Sequence, residues 1–310
     1  MIYDVQFPSL RFVEFPNARA FQIRVGPWMT LREGENCHLL GLLPDLAAAN
    51  GSDAKPRFLA VQDRDEVVAA AVLFPSGSMV ATWATREIID VLLQGLASTN
   101  SLLNGVYAPG HVSKLIAKLW AQRTGQEFVL DREERLYQLA YPTHTPAAEG
   151  RLEVATPADR DLALAWTERF SREVKLETGS STVTEQVDEL IKQQCLYLWK
   201  QPEPVAMAAW VCQTPHGGCI NFVYTPPEAR GRGHGKDVTT ALGQRMLQAG
   251  NRFCFILTDC DDPRTNALYQ RIGGRTLCEF VRCKIEPAKN GTQSQAAASG
   301  KPRLRIEIGR

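Results

Sequence analysis

The chain has 310 residues, 44% of them hydrophobic, which exceeds one ordinary domain and supplies enough apolar material for two cores. Its 35 Lys and Arg against 34 Asp and Glu leave a net charge of +1, so no global field exists to draw in nucleic acid or an anionic membrane, and any anion site has to be local. The eight cysteines show no C-x-x-C pair and no zinc spacing, the N-terminus shows no signal-peptide pattern, and no apolar run reaches membrane-span length. These features predict buried thiols, no metal, no membrane and a cytoplasmic location.

In chain order, apolar spacing predicts one helical stretch over Trp28 to Ala49, then strands Phe58 to Val61, Val67 to Phe74 and Met79 to Trp83. A helix over Arg86 to Leu96, a strand over Leu103 to Ala108, a helix over Val112 to Thr124 and a strand near Phe128 to Ala140 complete the first half. Two prolines, a glycine and small residues between Tyr141 and Gly150 read as a linker. The second half repeats the succession. Helices over Pro157 to Glu173 and Thr184 to Cys195 precede an antiparallel meander of Leu196 to Trp199, Val205 to Cys212 and Cys219 to Thr225. A helix over Lys236 to Gln248, a strand over Phe253 to Thr258, a helix from Pro263 to Ile272 and a strand through Phe280 to Ile285 follow. The expectation is two α/β repeats, residues 1–145 and 146–286, with a tail over 287–310 too poor in large apolar residues to fold.

The segment Thr225-Pro-Pro-Glu-Ala-Arg-Gly-Arg-Gly-His-Gly-Lys236 places alternating glycines between a strand and a helix. Lacking Cβ atoms, Gly231, Gly233 and Gly235 let backbone N–H groups converge on one ligand, and the helix N-terminus adds its dipole. Arg230, Arg232 and Lys236 add positive charge, so a diphosphate suits the place. The plain alternative for such a loop is a solvated turn. Against it stands a second segment, Thr258-Asp-Cys-Asp-Asp-Pro-Arg-Thr-Asn-Ala-Leu-Tyr-Gln-Arg-Ile-Gly-Gly274, a strand end leading into a short helix with a tyrosine before its glycine stop.

Together, Arg230-x-x-Gly233-x-Gly235 and Asn266-x-x-Tyr269-x-x-x-Gly273 resemble the GCN5-related N-acetyltransferase (GNAT) superfamily over residues 152–286, with the phrasing of its FR47-like branch. The resemblance implies two tandem domains, each a mixed, mostly antiparallel sheet flanked by helices. It implies acetyl-CoA as cofactor, with Val223, Tyr224 and Thr225 on the thioester and pantetheine, Arg230 to Lys236 (His234 through its backbone) on the diphosphate, and Asn266 also touching the cofactor. Tyr269 would be the general acid, since a phenol is protonated at neutral pH and can return a proton to a thiolate. Asp262 stands where the family has asparagine and is expected to cap the helix before Pro263. Glu173 and Glu177 are candidate bases, although exposed glutamates are usually only solvated. The first half lacks the glycine loop, and it resembles a degenerate copy in which Trp83, Tyr107 and His111 are candidates for lining a substrate cleft. The implied activity is transfer of an acetyl or other short acyl group to a primary amine on a small molecule or amino acid. Sensing of acyl-CoA without turnover is the alternative; nucleic acid is not an expected partner.

Overall fold

The computed structural model describes residues 10–48, 55–147, 149–174 and 180–288. The described residues form two compact units, one from the stretches 10–134 and 278–288, the other from 135–277.

The first unit contains β1 (Leu10–Phe15), α1 (Ala18–Thr30), α2 (Cys37–Ala48), β2 (Arg57–Asp63), β3 (Glu66–Leu73), β4 (Ser78–Ala81), α3 (Arg86–Ser98), β5 (Gly105–Pro109) and α4 (Gly110–Thr124). Its strands run in the order β1-β2-β3-β4-β5-β12, where β12 is Arg275–Glu286, all but its first three residues belonging to this unit. Only β4 and β5 pair in parallel among these, through Ser78↔Gly105 to Val80↔Tyr107. Strand β3 shows why its sequence is apolar without alternation: Ala69, Ala71 and Leu73 pack toward α3 and α4, while Ala70 and Val72 pack toward α1 and α2. The predicted helix over 28–49 is instead two helices. Asn17 caps α1 by accepting from the Ala20 N–H at 2.9 Å, and the Asn36 amide donates to the Met29 carbonyl at 2.9 Å across the break.

The second unit takes the end of β6 (Glu127–Leu139), then β7 (Arg151–Val154), α5 (Arg160–Glu173), α6 (Ser180–Lys192), β8 (Leu196–Lys200), β9 (Pro204–Val211), β10 (Gly217–Tyr224), α7 (His234–Gln248), β11 (Phe253–Asp259) and α8 (Pro263–Arg271). The order is β6-β11-β10-β9-β8-β7. The meander β8-β9-β10 is antiparallel as the turns predict, and β10 and β11 are parallel. One core holds Val238, Leu242 and Met246 of α7 and Tyr269 of α8 against Tyr137, Ile220 and Ile256 of the sheet. On β10 the alternate rings face α5: Phe222 meets Phe170 at 5.7 Å and Tyr224 meets Trp166 at 6.0 Å.

The division between units falls inside β6 rather than at the proline-rich stretch, because each unit is completed by a strand from the other half of the sequence. In the first unit Asp131 of β6 pairs with Arg282 and, at 2.6 Å, with Lys284 of β12; burial pushes its carboxyl up, but the two cations together outweigh that and hold it below the usual range. Residues 141–147 form a strap within the second unit. Thr143 N–H donates to the Ile272 carbonyl at 3.0 Å, and His144 Nε2 lies 2.7 Å from Asp237 Oδ1. All eight cysteines are free thiols, and four of them, Cys37, Cys219, Cys254 and Cys283, are buried. Among the described residues no group of metal-ligating side chains occurs and no helix is long and apolar enough to cross a membrane. Of the expected tail, residues 289–310 lie outside the described residues.

Candidate functional site

The site begins with a strand that bends. The β10–β9 register shifts between Asn221 and Tyr224, and Phe222 sits at φ 51°, so the strand carries a β-bulge. On its other side, the parallel ladder to β11 ends at Ile220↔Ile256, although the strands continue to Tyr224 and Asp259. Beyond that rung the two strands part, and Val223 and Tyr224 border the gap.

Residues 225–233 then turn into α7. Gly231 has φ 79° and Gly233, the N-cap of α7, has φ 90°, backbone conformations that strain any residue with a Cβ. Gly233 O accepts from the N–H groups of Lys236 and Asp237, which leaves the first amides of α7 directed out of its end. Gly235 has neither constraint: a Cβ there would only make ordinary contact with Leu268 Cδ1 at 3.4 Å and Thr225 Oγ1 at 3.6 Å. Arg232 is exposed and Lys236 half-buried beside this end.

Two buried polar atoms at the junction lack a protein partner, Tyr224 Oη and His234 Nδ1. Their residues are 3% and 6% exposed, so the missing partner is a cost unless a ligand or water supplies it. His234, expected as a loop side chain, is the first residue of α7 with its ring turned inward. An acyl-CoA fits the parted strands, the glycine turn, the open helix end and the unsatisfied atoms.

Arg230 is arranged differently from its expected diphosphate role. Its Nη2 donates to both Glu173 carboxylate oxygens at 2.7 Å, its Nε donates to the Thr225 carbonyl at 2.9 Å, and its guanidinium lies 5.7 Å from the centre of the Tyr224 ring. The Glu173 bond raises its already high pKa. Glu173, a candidate base, is thereby committed to an ion pair, while Glu177 lies outside the described residues.

Tyr269 is buried in the core beneath β11 and α7, its ring 5.9 Å from Tyr137. Burial, and secondarily the charge of Asp262, pushes the phenol well above its ordinary value, so it keeps its proton at neutral pH. Asp262 caps α8 as expected, accepting from Arg264 N–H at 2.9 Å, with Pro263 in the first turn. Gly274 has no room for a side chain: a Cβ would lie 2.6 Å from the Tyr269 carbonyl oxygen.

The structure corrects the expected role of Asn266. Its Oδ1 accepts from Tyr137 Oη at 2.8 Å and Arg135 at 3.2 Å, and its Nδ2 donates to the carbonyls of Asp259 at 2.8 Å and Asp262 at 2.7 Å. With both ends of the amide used, Asn266 fastens the start of α8 to β6 and has no bonding capacity to offer a cofactor. Tyr137 and the His144–Asp237 contact at the first turn of α7 escaped the sequence reading, because their partners lie far along the chain.

The model of the family described as FR47-like protein matches residues 197–283. A GNAT-family acetyltransferase from Colwellia psychrerythraea superposes with TM-score 0.55 at 11% identity, covering 90% of this chain and 100% of that one. A GCN5-related N-acetyltransferase from Sphaerobacter thermophilus gives 0.56 at 16% identity, over 89% and 96% of the two chains. A tandem GNAT protein from the clavulanic acid biosynthesis pathway gives 0.52 at 15% identity, over 91% and 100%. No curated protein matches the sequence. The chain thus has the GCN5-related N-acetyltransferase fold. Over residues 197–283 the sequence is similar to the FR47-like family within that fold.

Proposed function

We propose that this protein is an acyl-CoA-dependent N-acyltransferase that moves an acetyl or other short acyl group to a primary amine. The observation that carries the reading is the parting of β10 from β11 beyond Ile220↔Ile256, directly before the glycine turn into α7. Acyl-CoA, when bound, supplies the thioester carbon that the amine attacks. Backbone groups of Val223, Tyr224 and Thr225 hold the extended arm and stabilise charge on the carbonyl oxygen, as donors fixed on a strand do without reorganising. The α7 N-terminus, Gly231 to Gly235, Arg232 and Lys236 hold the diphosphate. Tyr269 Oη keeps the proton that the departing thiolate needs.

Calorimetric titration with acetyl-CoA, longer acyl-CoAs and NAD as control tests this reading. Saturable binding of the CoA esters alone, followed by product formation from a panel of primary amines, is the expected result; no binding to any CoA ester overturns it. A second reading, acyl-CoA sensing without turnover, is favoured by the Arg230–Glu173 pair, which occupies one of the two carboxylates considered for the base. Binding without product across the panel would select it.

A further inference from the structure

The first unit has its own opening at the carboxyl end of its parallel strands, the place where open α/β sheets take ligands. The rungs between β4 and β5 end at Val80↔Tyr107, and a cavity of about 380 Å³ lies past them. It is bounded by Trp83 after β4, by Pro109 and His111 at the β5–α4 junction, by Glu279 of β12, and by Arg32 and Glu35 from the stretch between α1 and α2. The indole of Trp83 is 40% exposed, a large aromatic face left open to this space. The second unit's glycine turn has no counterpart here, and the two carboxylates oppose a diphosphate.

One side chain of the protein already shows what the wall recognises. The Arg32 guanidinium stands over the Trp83 ring at 5.9 Å from its centre and 3.4 Å from Glu35, an organic cation held by an aromatic face and a carboxylate. Arg32 itself is 63% exposed and sits in an interhelical stretch, so it is easily displaced. The thiol of Cys278, which also lines the cavity, is pushed up to about 12, first by burial and then by Glu35 and Glu279, whose negative fields therefore meet inside the cavity.

We propose that this cavity is a second binding site, specific for a compact organic cation, a primary amine or a guanidinium, which stacks on Trp83, pairs with Glu35, and takes the place of Arg32. Attraction of a cation to the indole face adds to the ion pair with Glu35 and gives the site its selectivity. The site lies wholly in the first unit, and its occupancy does not depend on CoA binding in the second.

The test is calorimetric titration of the full chain with agmatine, with glutamate and inorganic phosphate as anionic comparators. Agmatine binds saturably and the anions do not. Trp83→Ala and Glu35→Gln each weaken agmatine roughly tenfold. Arg32→Ala strengthens it about threefold, because the resident cation has gone. Thermal unfolding checks that each variant folds, and should Trp83→Ala fail, the agmatine-dependent emission present in wild type and absent in Trp83→Phe reports the same contact. Preference for either anion, loss of agmatine binding in Arg32→Ala, unchanged affinity in both Trp83→Ala and Glu35→Gln, or no saturable agmatine binding each overturns the proposal.

Discussion

The two units reach the same point by different chemistry. In both, a ladder of parallel strands stops and a helix starts nearby, at Val80↔Tyr107 before α3 and at Ile220↔Ile256 before α7. After β10 the chain spends residues 225–233 on a turn with two left-handed glycines, preceded by a bulge at Phe222. After β4 it spends only residues 82–85. There the Thr82 N–H continues the pairing to Ala70 O at 2.9 Å, the Thr82 hydroxyl accepts from Ala70 N–H at 2.9 Å, and no bulge interrupts the β3–β4 register. One junction is lined with amides by a glycine turn, while at the other the β3–β4 pairing runs on to Thr82 and leaves no such turn. A fold therefore does not carry an anion site by itself; a bulge and glycines at one strand–helix junction do.

The largest effect should come from Gly233→Glu. The substitution puts a side chain at φ 90° and a carboxylate at the open end of α7, so CoA binding should fall more than roughly hundredfold by calorimetry. Thr85→Glu, at the matching N-cap of α3, should leave CoA affinity unchanged, and an equal loss there would erase the distinction between the units. Next, Tyr269→Phe should keep CoA affinity and lower kcat on the order of a hundredfold. The raised phenol pKa gives this a sign in pH. The acid stays protonated past the ordinary tyrosine range, so kcat should hold across that range without an alkaline fall set by Tyr269.

The glycine turn, α7, α8 and the Asp262 cap were legible in the sequence because each is decided by neighbours: a positive φ needs glycine, and a cap needs an acceptor before the first turn. What was not legible was decided at long range. β1 and β7 are short edge strands whose existence depends on pairing with β2 and β8. The exchange of β6 and β12 leaves no local trace. The break between α1 and α2 fell inside the expected helix, over residues 31–36, where Gly34 is the only strong local stop and the two prolines, Pro27 and Pro44, lie within the helices themselves. Asn266 and Arg230 looked like cofactor ligands because the motif supplies them, yet Tyr137 and Glu173, distant in the chain, had already claimed their side chains.

Asn266→Ala sharpens that last point. It should lower stability by about 2 kcal/mol, since it strands the Tyr137 hydroxyl and two carbonyls, with little change in CoA affinity for the folded protein. A pH dependence belongs to the first unit. Burial pushes His38 down to about 4, where it stands 3.0 Å from the Tyr107 hydroxyl. Its folded pKa is below its unfolded one, so the unfolded chain binds the extra proton, and stability contributed by the neutral ring falls as pH drops from about 6.5 to about 4. The slope reaches at most ~1.4 kcal/mol per pH unit and should vanish in His38→Gln, read by denaturant titration above the carboxylate range.

The smallest effect concerns the cation that the second unit holds back. Arg230 and Glu173 are each 45% exposed, so their pair is worth at most ~1 kcal/mol in water. Glu173→Gln removes the competitor for the guanidinium and leaves Arg230 able to turn toward an anion at the glycine loop. Acetyl-CoA affinity should then rise about threefold at low salt, and the gain should fade as salt screens the exposed charges. A loss of affinity instead would mean that the ion pair is what holds the turn in its binding shape, with Arg230 acting as a brace between Thr225 and α5. The junction after β4 offers the control: Asp90 of α3 pairs with Arg86 at 3.9 Å and with Arg123 at 2.8 Å, and Asp90→Asn there should leave CoA affinity untouched at any salt concentration.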